Sequence, residues 1–166
     1  MDKISQEILK ELLPAEKDVV PPASARAPRR TPMDHWPPAV LLERAHYLRK
    51  MATYGDGSAS ETLKEYPGHC AMLSFRSRDG EAEVHQDFAD MFYVLDGRAT
   101  MVTGGTVTGA QTVAPGEMRG ASIEGGSRQE MKAGDLVHVP AGLPHQMLVA
   151  GDKTITCFVV KIPEIQ

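Results

Sequence analysis

The sequence predicts an all-β protein, a sandwich or barrel preceded by helices and a proline-rich arm. Three observations carry this. From His69 onward the chain breaks into about eight short segments of strand-like composition. Turn signals separate them at Asp79-Gly80, Asp96-Gly97, Pro140-Ala141-Gly142 and Ala150-Gly151-Asp152. No long helical pattern follows residue 66.

Taken in order, Ile4, Ile8, Leu12 and Leu13 give residues 3–13 near-helical apolar spacing. Seven prolines between 14 and 38 then remove backbone donors, so this stretch is expected to be a linker or arm rather than a regular element. Arg26, Arg29 and Arg30 within it read as a solvated cluster, with an acidic partner as the alternative. Residues 39–52 predict the best helix: Pro38 suits its first turn, and Leu41, Ala45, Leu48 and Ala52 form one stripe. Ser58-Ala59-Ser60-Glu61 has capping-box spacing, which predicts a short helix to about Glu65. The expected organisation is an arm over 1–38, a helical segment over 39–68 and the β domain over 69–166. Within the β domain, strands are expected at 69–78, 81–88, 90–97, 98–104, 128–132, 135–139, 145–150 and 153–162, with Asp96-Gly97 as a hairpin turn. The glycine-rich stretch 104–127 fits no phosphate loop and is expected to be irregular, as a lid, a rim or an elaborated sheet edge.

Composition narrows the function. The chain has 166 residues, 42% apolar and 24% charged, enough for one domain with one sizeable core. A net charge of -4 argues against nucleic acid as a partner. No apolar run approaches membrane-span length, and the charged N-terminus lacks the apolar core of a signal peptide, so a cytoplasmic protein is expected. Cys70 and Cys157 then read as free thiols.

Two polar segments carry the chemistry. In Gly134–His145, GDLVHVPAGLPH, a strand and a tight turn deliver the His145 imidazole to the start of a second strand. Upstream, VHQDFADMFYVLDG holds His85, Asp87 and Asp90. Strand parity puts His85 and Asp87 on one face, and Asp90 on the next strand together with Phe92 and Val94. His145 shares its face with Met147 and Val149. Imidazole and carboxylate among apolar neighbours are costly unless paired or bound to metal. Two His with carboxylate and open positions suit non-haem Fe(II), with Mn, Zn and Ni also open. His138 is expected at the surface. Arg76 or Arg78 could meet a substrate carboxylate, but as strand charges both are expected exposed. Tyr93 is expected to point outward.

Together these segments resemble the two signature motifs of the cupin superfamily. Gly134, Pro140, Gly142 and His145 stand at the spacings of the second motif, with Val149 in place of its final Asn. In the first motif (G, five residues, H-x-H, three or four residues, E, six residues, G), His85 is aligned with the first His, Asp87 with the second, Asp90 with Glu and Gly97 with the last Gly, while only two residues separate Asp87 from Asp90 and Gly80 is one residue too close to His85. The resemblance covers roughly 70–162. It implies a jelly-roll barrel (double-stranded β-helix) and a divalent metal held by His85, His145 and at least one of Asp87 and Asp90, the free Asp acting as base. It also implies a small-molecule ligand and a homodimer. The function it suggests is a small metal-dependent enzyme of dioxygenase, isomerase or lyase type, or a non-catalytic binding or sensor cupin.

Overall fold

Pro37 and Pro38 begin the first element, helix α1 (Pro38–Ala52), where fixed proline φ angles suit a first turn that needs no N–H donor. The computed structural model describes residues 33–164. The segment 3–13 and the arginine cluster of the proline-rich stretch lie outside these residues. Leu41, Ala45, Leu48 and Ala52 are the buried side of α1, and they pack on Leu73 and Phe75 of strand β2 (His69–Arg76). Trp36 and Phe158 extend this cluster, with ring centroids 6.0 Å apart.

The expected short helix after α1 is a strand, β1 (Ser58–Tyr66), paired antiparallel with β2. The helical segment therefore ends at Ala52, and the sheet begins eleven residues before His69. Ala59, Glu61 and Leu63 are partly buried while their neighbours Ser60, Thr62 and Lys64 alternate toward exposure. That period of two, together with the β2 ladder, outweighs a local capping pattern.

The remaining strands are β3 (Ala82–His85), β4 (Phe88–Thr103), β5 (Thr106–Thr108), β6 (Gln111–Ala114), β7 (Glu117–Gly120), β8 (Ser122–Glu124), β9 (Ser127–Lys132), β10 (Leu136–Val139), β11 (His145–Leu148) and β12 (Ile155–Pro163). One curled antiparallel sheet runs β1-β2-β12-β4-β11-β3-β7-β6, with β9 and β10 also on β4; β5 and β8 form a separate pair. This is the all-β, jelly-roll arrangement.

Strand β4 joins the two halves of the barrel. Its first half pairs with β12 and β10, and its second half with β11 and β9. The expected hairpin at Asp96-Gly97 does not form: the chain runs straight through and bends. Gly97 takes φ +81°, and a Cβ there would lie 1.9 Å from the Thr154 carbonyl oxygen. The β4–β12 register slips between Thr156 and Cys157 at this point. The glycine thus serves a bulge that redirects a long strand, not a reversal.

Strand β2 is covered on both faces. Ala71, Leu73 and Phe75 are buried on one, while Met72, Ser74 and Arg76 line the barrel interior on the other. Strands β4, β9, β10, β11 and β12 supply the core below that interior, with Val94, Met101, Met131, Val139 and Cys157 almost fully buried. Both cysteines are free thiols. Burial pushes the Cys157 thiol up to about 12, against a small opposing effect of Arg76. No described helix is long and apolar enough to cross a membrane.

Candidate metal centre

His145 opens β11 between two neighbours, pairing with Glu83 of β3 and Thr103 of β4. The turn before it takes the expected form: Gly142 has φ +76°, and Leu143 N–H donates to the Pro140 carbonyl. The turn also does something the sequence does not state. Gly142 N–H donates to the His85 carbonyl at 2.7 Å, which clamps the second polar segment onto the first.

The two imidazoles converge, with ring centroids 5.3 Å apart. His85 Nε2 lies 3.3 Å from both Glu83 Oε2 and Asp90 Oδ2. His145 Nε2 lies 3.6 Å from the same Asp90 oxygen and 4.0 Å from the same Glu83 oxygen. One ligand atom each from Glu83, His85 and His145 falls within a 4.8 Å set. His85, Asp90 and His145 are buried to 2–4% exposure, so water does little to screen them.

Asp87 is not in this cluster. Strand β3 ends at His85, and Gln86 N–H turns away to the Gly116 carbonyl. Asp87 is exposed in that turn, its side chain beside Gly116 and its carbonyl accepting from Glu164 N–H. Two-residue parity holds only while the strand continues, which it does not. Glu83 takes the missing place. It stands two residues before His85 on the same strand face, so the parity that suggested Asp87 pointed equally to Glu83.

The motif alignment shifts accordingly. With Glu83 and His85 in the H-x-H positions, four residues lie between His85 and Asp90 and six between Asp90 and Gly97, the spacings of the first cupin motif from that pair onward, while Ser77 stands at its opening Gly. An alignment that puts His85 and Asp87 in those positions starts two residues too late.

The surrounding residues set orientation and charge. His85 Nδ1–H donates to Glu117 Oε2 at 2.5 Å, and His145 Nδ1–H donates to the Leu143 carbonyl at 3.1 Å. Each imidazole therefore turns Nε2 toward the cluster, the arrangement that metal-ligating histidines use. Glu117 comes from β7, in the glycine-rich stretch expected to be irregular, where its register opposite His85 is set by the β3–β7 ladder. Lys161 of β12 adds its Nζ, which donates to Asp90 Oδ1 at 2.9 Å and lies 2.9 Å from His85 Nε2.

Burial opposes the charges of Glu83, His85 and Asp90, and the ion pairs outweigh it. Hydrogen bonds to Asp90 and Glu83 lift His85 to about 9, despite burial and nearby Lys161. His85, Arg119, His145 and Arg76 hold Glu83 at about 2, again against burial. Asp90 lies well below the usual carboxylate range through His145, His85 and Lys161. Among the described residues no buried side-chain nitrogen or oxygen lacks a partner.

A cavity of about 210 Å³ opens from this cluster. Phe92, Met101, Met147 and Val159 are among its apolar lining, and Arg76, Arg119 and Lys161 are its basic lining. Arg76 is thus inside the barrel and not the exposed strand charge expected. His138 and Tyr93 are exposed, as their parity predicted.

The two halves of the barrel thus bring a Glu-x-His pair, an Asp and a turn-borne His together. Residues 112–161 match the family model described as Cupin domain, which supports the cupin superfamily for this part of the chain. No curated protein matches it in sequence. Several solved structures resemble it. The polyketide cyclase RemF from Streptomyces resistomycificus is 16% identical with TM-score 0.47, the match covering 65% of this chain and 66% of that one. TT1209 from Thermus thermophilus is 17% identical with TM-score 0.49, covering 70% and 93%. The Clostridium difficile EutQ protein is 14% identical with TM-score 0.44, covering 64% and 68%. This chain spans just under two thirds of the cyclase, and likeness at these levels says nothing about activity.

Proposed function

We propose that Glu83, His85, Asp90 and His145 hold one divalent cation, and that the chain is a small metal-dependent enzyme acting on a small polar organic molecule in the barrel cavity. The observation that carries this is the donor set: one Glu83 oxygen and one Asp90 oxygen each lie within 4.0 Å of both Nε2 atoms, with both Nδ1 atoms committed elsewhere. Two nitrogens and two oxygens suit Fe(II), Mn or Zn, with Ni also possible. When bound, such an ion supplies Lewis-acid polarisation of a substrate oxygen, or redox chemistry if it is iron or manganese.

The chain's own residues do the rest. Glu117 and the Leu143 carbonyl fix the imidazole rings. Met101, Met147, Phe92 and Val159 present an apolar wall that limits water around the reacting end. Asp87 lies outside the cluster, and Lys161 Nζ, which lines the cavity and donates to Asp90 Oδ1, is placed to donate a hydrogen bond to a bound substrate. The reaction is of oxidative, isomerase or lyase type, on the analogy of the fold.

Metal analysis of the purified chain, followed by calorimetric titration, tests this. One ion per chain in the wild type, lost in His145→Ala, supports the proposal. Sub-stoichiometric metal in both, with melting unmoved by EDTA, sinks it. Oxygen uptake with Fe(II) over a panel of diketones, enols and sugar acids then separates the reaction types.

One observation favours a second reading, a non-catalytic binding or sensor cupin. Lys161 Nζ already places a cation between Asp90 and His85. A cluster closed by its own lysine would take up no metal in the same titration.

A further inference from the structure

We infer that Arg76 is a carboxylate anchor and that the cavity takes a small organic acid with an apolar body. The inference rests on the cavity being the ligand site proposed above and deepens that reading. Arg76 lies on β2 with Met72 and Ser74, on the face turned into the barrel. Its guanidinium lies over Gly80, where a Cβ would come within 2.9 Å of Nη1, so a side chain there would push it aside. A guanidinium has five N–H donors. Among the described residues the Arg76 side chain makes no hydrogen bond, and its one ion pair is a loose 3.5 Å contact from Nη2 to Glu83 Oε1. Its side chain is 26% exposed, so it is neither free in solvent nor satisfied by the protein. A planar fork with unused donors in the lining of a cavity matches a carboxylate bidentately.

Glu83 ties this anchor to the metal cluster. Its Oε1 faces Arg76 while its Oε2 faces His85 Nε2, so one carboxylate separates the two cationic positions. An acid seated on Arg76 therefore has its neighbouring carbon atoms beside the ligand cluster. Arg119, 3.7 Å from Glu83 Oε2, adds positive charge to the same end. Three basic and three carboxylate side chains line the cavity, so a divalent ion leaves it net positive. Its volume, about 210 Å³, lies below the ~300 Å³ at which pockets for drug-sized ligands begin. Met72, Phe92, Met101, Met147 and Val159 make much of its lining apolar, which accommodates a short alkyl body rather than a polyol.

Matched probes test this: 2-hydroxybutyrate and its uncharged amide, titrated by calorimetry into the full chain, loaded with zinc or treated with EDTA. The wild type is expected to bind the acid ~10- to 100-fold tighter than the amide, and Arg76→Gln to abolish that preference. Arg76→Lys keeps the charge but not the fork, and is expected to retain part of the preference. If Arg76→Gln fails to fold, the lysine variant decides alone, through a reduced preference. Equal binding of acid and amide, a preference intact in both variants, or no binding of either probe by the zinc-loaded chain overturns the inference. An Arg76-dependent preference that persists in EDTA, in a chain that takes up no zinc, keeps the anchor and removes the metal proposal. Zinc uptake without any preference does the reverse.

Discussion

Glu117 touches the cluster through one atom pair, yet it decides which nitrogen of His85 faces inward. Its Oε2 accepts from Nδ1–H, leaving Nε2 to the ligand set. Replacing it with alanine frees the ring to turn or change tautomer, and metal affinity is expected to fall ~10- to 100-fold by calorimetry. Asp87→Asn is the control: an exposed side chain outside the cluster is expected to leave that affinity unchanged. At this scale the sequence is legible wherever a strand continues. Asp90 with Phe92 and Val94, and His145 with Met147 and Val149, all face inward as parity requires. Asp87 is misplaced by parity because nothing in His-Gln-Asp marks where β3 ends; the Gly116 carbonyl that draws Gln86 away is thirty residues distant. Glu117 is beyond reach for a related reason: only the β3–β7 ladder brings it to His85. Glu83 is within reach, since the same two-residue rule applied backward from His85 finds it.

Elements are legible where periodicity and turn chemistry agree, and misleading where a local signal competes with a distant partner. Helix α1 has both its proline start and its apolar stripe. Strand β1 has a capping-box sequence, but β2 offers it a ladder from Ser58 to Tyr66, and the ladder wins. Asp-Gly at 96–97 has the composition of a hairpin turn, yet the positive φ is used to bend β4 between the two halves of the barrel. Gly97→Ala tests this directly. A Cβ would sit 1.9 Å from the backbone oxygen of Thr154, and the conformation itself disfavours any side chain. Denaturant unfolding is expected to show a loss of more than ~2 kcal/mol, or a failure to fold. A hairpin turn at the surface would accept alanine far more cheaply. Leu73→Ala probes the other side of the sheet, where the side chain is fully buried under α1. A loss of ~2–5 kcal/mol is expected in the same experiment, from lost transfer energy and the cavity left behind.

For the whole molecule, the charged cluster makes stability depend on pH in a way that metal should change. Glu83 is held at about 2 against an ordinary 4.5, so its contribution is present above 4.5 and lost as pH falls toward 2. Asp90, also depressed, acts in the same direction. His85 is lifted to about 9 from 6.5, so its contribution is complete below 6.5 and lost as pH rises through 9. In EDTA these groups together predict a stability plateau between about pH 4.5 and 6.5, with a fall on each side. A divalent ion needs Nε2 without its proton, so binding releases protons and strengthens with pH. Thermal melts across pH with zinc in place of EDTA are therefore expected to lose the alkaline fall, while the acid fall remains because protonated carboxylates bind no metal. If zinc leaves the alkaline limb untouched, His85 keeps its proton and does not ligate, and the cluster is held together by Lys161 and its ion pairs instead.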